Sequence, residues 1–304
     1  MENVLEIQNV SKRFGNFKAL DDISLSIKRG EIYGLIGENG AGKTTLMRLI
    51  TKLSPLRSGK ITLLGDNLRV TNRPLKHIGS IIESPACFQN LTVIQNLKLT
   101  SIQHGISNKS LVANIIELVG LELKKNTKAK NLSLGQRQRL GLAIALLPQP
   151  DFLILDEPIN GLDPSGIMDI RALLKKLNSE MNTTILISSH ILTELYQVST
   201  RFGFIHRGRL IKELSKEELE SANKSGIEIE LDQVEQAAQV LDGLNIGEFS
   251  ISDDHHVLIL DLNANIAEIN NQLVQNNIPV KNITKKESSL EQYYTNLLAE
   301  QGGF

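Results

Sequence analysis

Apolar residues alternate with polar ones around Leu5, Ile7 and Val10 and again around Ile23, Leu25 and Ile27, the period-two pattern of strands with one buried face. Strands are therefore expected over residues 5–10 and 23–27. Four other stretches, 32–36, 78–82, 152–155 and 184–187, are almost continuously apolar and suit strands buried on both faces. Helical patterning appears after Thr45 in the run 46–50, at Leu111, Ile115, Leu118 and Val119, and in the run 140–147 that stops at Pro148. Beyond residue 213 the pattern predicts a strand at 227–231, a helix at 234–244, strands at 247–252 and 256–262 around an Asp253-Asp254 turn, a helix at 266–274 and a strand at 278–283. That order, βαββαβ, is the ferredoxin-like arrangement. One more helix is expected from Leu290, Tyr293, Tyr294 and Leu297, spaced i, i+3, i+4, i+7.

Two of the buried strands end in chemistry. The first leads into Gly37-Glu38-Asn39-Gly40-Ala41-Gly42-Lys43-Thr44-Thr45 and then into a helix, the strand, glycine loop, helix order of a phosphate-binding loop. Gly37, Gly40 and Gly42 let the backbone wrap an anion closely, Lys43 can reach the β- and γ-phosphates, and the Thr44 hydroxyl can ligate Mg²⁺. The strand at 152–155 ends in Asp156-Glu157. Ligands of open α/β sheets bind at the carboxyl ends of strands, so Asp156 can hold the Mg²⁺ shell while Glu157 polarises an attacking water.

Between these motifs lies Leu132-Ser133-Leu134-Gly135-Gln136-Arg137-Gln138-Arg139, which resembles the signature motif of ABC-transporter ATPases, with Leu134 where that family usually has glycine. The other family markers follow in order. Phe14 resembles the aromatic that stacks on adenine, Asn160-Gly161-Leu162-Asp163 resembles the D-loop, and His190 in Ser188-Ser189-His190 resembles the switch histidine. Family members usually carry glutamine where this chain has Glu83. With Ser84-Pro85-Ala86 and 91–97 behind it, Glu83 makes the chain similar to the bacitracin and lantibiotic self-protection subgroup of bacterial exporters.

The resemblance spans residues 4–212 and implies a P-loop ATPase of the ABC type at 1–213, with a helical subdomain at about 84–148; the pattern of the tail itself adds a small accessory α+β domain at 214–304. It implies Mg-ATP held by Phe14, the loop 37–45, Glu83 and Asp156. Glu157 would act as base, His190 would sense the γ-phosphate, and Asp163 would lie at a dimer seam. Each site would be completed by Ser133, Gly135 and Gln136 of a second copy. A membrane permease is the implied partner, met by the helical subdomain and by Phe88, Gln89 and Asn90 in particular. The chain would then work at the cytoplasmic face of the cell membrane, expelling antimicrobial peptides, with no nucleic-acid partner. Another export system or a non-transport ATPase of translation or DNA repair is the alternative. The latter usually has two nucleotide domains in one chain or a long coiled-coil insertion.

Charge sharpens the division. Residues 1–213 carry 28 Lys+Arg against 18 Asp+Glu, whereas 214–304 carry 5 against 16, so a net of +10 meets a net of −11. A positive first part suits an anionic nucleotide. Cys87 is the single cysteine, which excludes an intramolecular disulfide and fits a reducing compartment. No basic stretch with an apolar core follows Met1-Glu2-Asn3, and no apolar run approaches the ~18 residues of a membrane span, so neither a signal peptide nor a span is expected. His255-His256 lacks a cysteine partner and reads as a solvated turn rather than a metal site.

Overall fold

The computed structural model describes residues 2–222, 226–244, 248–261, 264–286 and 289–300. The alternating segments at the start pair as an antiparallel hairpin, β1 (Asn3–Phe14) with β2 (Phe17–Lys28), each 12 residues long. Both exceed the expected strands because their outer ends are held by pairing across the hairpin, Phe14 opposite Phe17, rather than by apolar alternation. β3 (Ile32–Ile36) is buried throughout and passes through the glycine loop into α1 (Lys43–Ile50). β4 (Lys60–Leu63) and β5 (Asp66–Asn67) complete a small antiparallel sheet of order β2-β1-β4-β5.

The second sheet carries the site. β6 (Ile78–Ile81) is followed by three helices, α2 (Val93–Gln103), α3 (Lys109–Leu118) and α4 (Leu134–Leu146), before the chain returns as β7 (Phe152–Leu155). Then come α5 (Pro164–Met181), β8 (Thr184–Ser189), α6 (Leu192–Tyr196), β9 (Arg201–His206) and β10 (Arg209–Ser215). The sheet order is β10-β9-β3-β8-β7-β6, parallel except for the edge strand β10. A core of Leu5, Ile23, Ile27, Leu35, Leu46 and Ile50, among others, joins the hairpin, α1 and this sheet.

Several expectations shift. In α3 the buried face is Val112, Ile115, Ile116 and Val119; Leu111 and Leu118 are only half-buried, so the apolar stripe sits one position round from the expected one. α4 begins at Leu134, six residues before its apolar run, because Ser133 and Gln136 close a reciprocal capping box. α2 begins at a second capping box, Thr92 with Gln95, on a segment whose pattern carries no helical stripe.

The chain divides into two compact units, Met1–Lys216 and Glu217–Phe304. α7 (Lys216–Ala222) starts at the last residue of the first unit, and the second continues with β11 (Gly226–Leu231), α8 (Val234–Asp242), β12 (Phe249–Asp253), β13 (His256–Ile259), α9 (Ile266–Gln275), β14 (Val280–Lys286) and α10 (Leu290–Glu300). The antiparallel sheet has order β12-β13-β11-β14, the βαββαβ ferredoxin-like arrangement. Ile227, Ile229, Val257 and Ile259 face Ala237, Leu241, Ile269 and Leu273 of its helices. Gly247 and Leu262, the ends of two expected strands, lie outside the described residues. His256 Nδ1 lies 2.8 Å from Asp253 Oδ1 and His255 Nδ1 3.3 Å from Asp232 Oδ1, each facing its own surface carboxylate.

Candidate active site

Parallel register is what assembles the site. Ile36 of β3 lies opposite Ser189 of β8, Leu155 of β7 opposite Ile187, and Ile81 of β6 opposite Leu155, so four strands deliver their carboxyl ends to one edge. The glycine loop leaves β3 there. Gly42 has φ 115°, a conformation L side chains rarely adopt, and a Cβ at this position would lie 2.8 Å from Ala19 O. Lys43, 4% exposed, donates from Nζ to Gly37 O at 2.6 Å and to Glu38 O at 3.1 Å.

Next to the loop, Thr44 Oγ1 donates to Asp156 Oδ2 at 2.7 Å and Ser188 Oγ donates to Asp156 Oδ1 at 2.7 Å. Ser188 Oγ in turn accepts from Glu157 N at 3.0 Å. The Glu157 carboxylate is bracketed: Lys43 Nζ is 3.2 Å from Oε1, His190 Nδ1 is 3.1 Å from Oε2, and Asn160 Nδ2 donates to Oε2 at 3.2 Å. Glu157 and Glu83 each stand two residues past paired positions of adjacent strands, and both are left-handed, with φ 46° and 65°. Such strain in non-glycine residues is concentrated at functional sites. Glu83 is exposed and its Oε1 is 2.6 Å from Arg48 Nη2; among the described residues no hydrogen bond joins it to Thr44 or Asp156. Burial pushes the nearby Cys87 thiol up, which suits a packing residue.

The cleft over the loop, about 220 Å³, is lined by Phe17, Ala19, residues of the loop and Glu157. Phe17 rather than Phe14 lines it; Phe14 is exposed across the hairpin turn, with Lys12 Nζ 5.3 Å from its ring. A larger cavity of about 780 Å³ lies between α2 and α3, where Ile94, Ile106, Val112 and Ile116 make it apolar and unsuited to phosphate. Phosphate loops need little enclosed volume because backbone N–H groups do the binding.

Among the described residues no hydrogen bond joins the signature segment to the phosphate loop. Ser133 Oγ accepts from Gln136 N at 3.3 Å and Gln136 Oε1 accepts from Ser133 N at 3.1 Å, so both side chains cap α4. Leu134 reaches over the D-loop, where a Cβ on Gly161 would lie 3.2 Å from its Cδ2, and Gly135 faces Leu162. Asp163 caps α5, its Oδ1 accepting from Gly166 N at 3.2 Å. Sequence reasoning did not single out Ser188, Arg48 or Phe17. Of these only Ser188 left a signal, a hydroxyl directly after the apolar run 185–187 and two residues before His190.

The residues fit Mg-ATP. Asp156 is buried at 5% exposure with two hydroxyls as its hydrogen-bond partners, a hard oxygen set beside a helix N-terminus. Thr44 and Asp156 would hold the Mg²⁺, with phosphate oxygens and water as its other ligands.

A glycine loop with its lysine, a carboxylate on the loop hydroxyl and a second carboxylate between lysine and histidine define a P-loop ATPase that uses Mg-ATP. The family model described as ABC transporter matches residues 20–160. The bacitracin transport ATP-binding protein BcrA of Enterococcus faecalis is 38% identical over 304 residues, covering 99% of this chain and 98% of that protein. The lantibiotic transport ATP-binding protein SrtF of Streptococcus pyogenes is 42% identical over 210 residues, 69% of this chain and 90% of that protein. Among solved structures, the dimeric ATP-binding cassette MJ0796 bound to ADP and Pi matches with TM-score 0.63 and 26% identity, over 70% of this chain and 98% of that one. The chain belongs to the ABC transporter family, as an ATP-hydrolysing subunit. No helix among the described residues is long and apolar enough to cross a membrane.

Proposed function

We propose that this chain is the ATPase subunit of a bacterial exporter that expels bacitracin-like or lantibiotic peptides. The observation that carries the hydrolytic part is the bracketed Glu157 carboxylate, within 3.2 Å of Lys43, His190 and Asn160. In this reading Lys43 transfers from the loop carbonyls to the phosphates, and Thr44 and Asp156 hold Mg²⁺. Bound metal neutralises charge developing on the transferred phosphoryl group. Glu157 orients water and takes its proton, and His190 keeps the Glu157 carboxylate aimed while sensing the γ-phosphate. Phe17, which lines the cleft, covers the base in place of the expected Phe14.

Two copies assemble on ATP, each loop facing Ser133, Gly135 and Gln136 of the other, with Asp163 at the seam. Exposure of Ser133, Leu134 and Asp163 supports this surface. The permease meets the helical subdomain at the loop 84–92 and so holds the subunit at the cytoplasmic face of the membrane. Asn96, 2% exposed, supports that assignment: its side chain accepts from Phe88 N at 2.8 Å and donates to Phe88 O at 3.1 Å, fixing the loop while Phe88 points outward. The peptide cargo is supported by the near full-length similarity to BcrA, which extends through the second unit, and by Glu83.

Cells carrying the subunit with its permease should survive graded bacitracin or lantibiotic plates that kill cells carrying Glu157→Gln. Equal survival would remove the cargo assignment, and resistance to an unrelated drug class would support a different export system.

A further inference from the structure

The turn between β9 and β10 grips the phosphate loop from behind. Gly208 N donates to Ala41 O at 2.9 Å, Gly208 O accepts from Asp21 N at 2.7 Å, and a Cβ on Gly37 would collide with Ile205 O. His206, the last residue of β9, is 8% exposed, and its Nδ1 lies 3.3 Å from Glu38 Oε2. That contact is a close electrostatic approach rather than an aligned hydrogen bond, and neither ring nitrogen makes a hydrogen bond among the described residues. The hydrolytic constellation does not use this imidazole, and a buried polar ring left without hydrogen bonds is costly.

Its neighbour is the anomaly. Glu38 is the one carboxylate in the loop 37–45, whose task is to bind a polyanion. The Glu38 backbone is locked into the loop, its carbonyl accepting from Ala41 N and Lys43 Nζ, each at 3.1 Å. Its side chain is exposed. We infer that His206 is a positioning residue that draws the Glu38 carboxylate against β9, away from the phosphate-binding face, and so removes a repulsion that would otherwise weaken ATP binding. The inference rests on ATP occupying this loop. One unit charge beside a bound polyanion, in largely aqueous surroundings, is enough to change affinity by roughly 5- to 30-fold.

The test is calorimetric titration of the full chain with Mg-ATP at low and high salt, alongside unfolding midpoints without nucleotide. His206→Phe keeps the ring volume and removes the nitrogens; it should weaken ATP binding by roughly 5- to 30-fold at low salt, and by much less at high salt, where the charge is screened. His206→Asn, whose amide keeps a polar N–H group facing the carboxylate, should keep most of the affinity. Adding Glu38→Gln to His206→Phe should restore binding to within about threefold of Glu38→Gln alone, since the repelling charge is gone. If the phenylalanine variant unfolds, His206→Leu takes its place. Wild-type affinity in the ring variant overturns the inference, as does a loss that neither salt nor Glu38→Gln relieves, because the ring would then only fill space. A wild-type chain that fails to bind ATP overturns the site assignment itself, a result distinct from either of these.

Discussion

Ser188→Ala removes one hydroxyl that serves two carboxylate-bearing residues. Ser188 is fully buried; its Oγ donates to Asp156 Oδ1 at 2.7 Å and accepts from Glu157 N at 3.0 Å. The bond to a charged carboxylate is worth about 1.5–3 kcal/mol, and a buried N–H left without an acceptor costs a further 1–3 kcal/mol, part of which water recovers. A total near 3 kcal/mol is expected, some 6–12 °C in Tm for a unit of this size. Function should suffer with stability. Thr44 Oγ1 alone would then hold Asp156, so the Mg²⁺ dependence of ATP binding should move to higher metal concentration. Urea unfolding of the nucleotide-free protein gives the first quantity and ATP titration across Mg²⁺ concentrations the second. A cycle with Asp156→Asn assigns the loss to the pair, with an expected interaction energy of about 1–3 kcal/mol. A stability change under about 0.5 kcal/mol with unaltered Mg²⁺ dependence would refute the idea that Ser188 aims the carboxylate.

Glu157→Gln should keep ATP binding and lose hydrolysis by roughly 10²–10⁴-fold, the usual contribution of a positioned base, so that ATP-bound dimers accumulate on size-exclusion columns; a monomer with wild-type turnover would contradict it. Truncation after Lys216 should leave a folded, ATP-binding first unit. Truncation after Lys212 cuts β10, removes the Glu213 acceptor 2.8 Å from the buried Tyr33 hydroxyl and should cost about 1–3 kcal/mol more in thermal melts. Glu83→Gln should retain substantial basal ATPase, since its amide keeps one oxygen, whereas Glu83→Ala should lose most permease-linked resistance; unchanged resistance in both would make Glu83 a neutral variant. Because the Arg48–Glu83 pair is exposed, breaking it should cost no more than about 1 kcal/mol of stability, measurable in the same unfolding experiment.

Much of this protein is decided locally and could be read along the chain. The glycine loop declares itself because left-handed backbone and close approach demand glycine at fixed spacing, and the acidic pair declares itself because a fully apolar strand does not end in two carboxylates without cause. The two strands of the opening hairpin and the βαββαβ order of the second unit follow from period, and the four buried strands from short unbroken apolar runs. The capping boxes at Thr92 and Ser133 were also in the sequence, yet apolar periodicity missed the start of α4 because its first turn is polar and held by side-chain hydrogen bonds. Tertiary structure decided the rest. Only the parallel register of β6, β7, β8 and β3 puts Glu157 between Lys43 and His190, residues 114 and 33 positions away, and only the packing of β9 puts His206 behind Glu38. The partners of Ser188, Arg48 and Phe17 are likewise set by which strand ends and turns meet in space. Distances between residues remote in sequence depend on sheet order and register, and those are fixed by the shared core and backbone pairing of the whole unit rather than by any segment's own pattern.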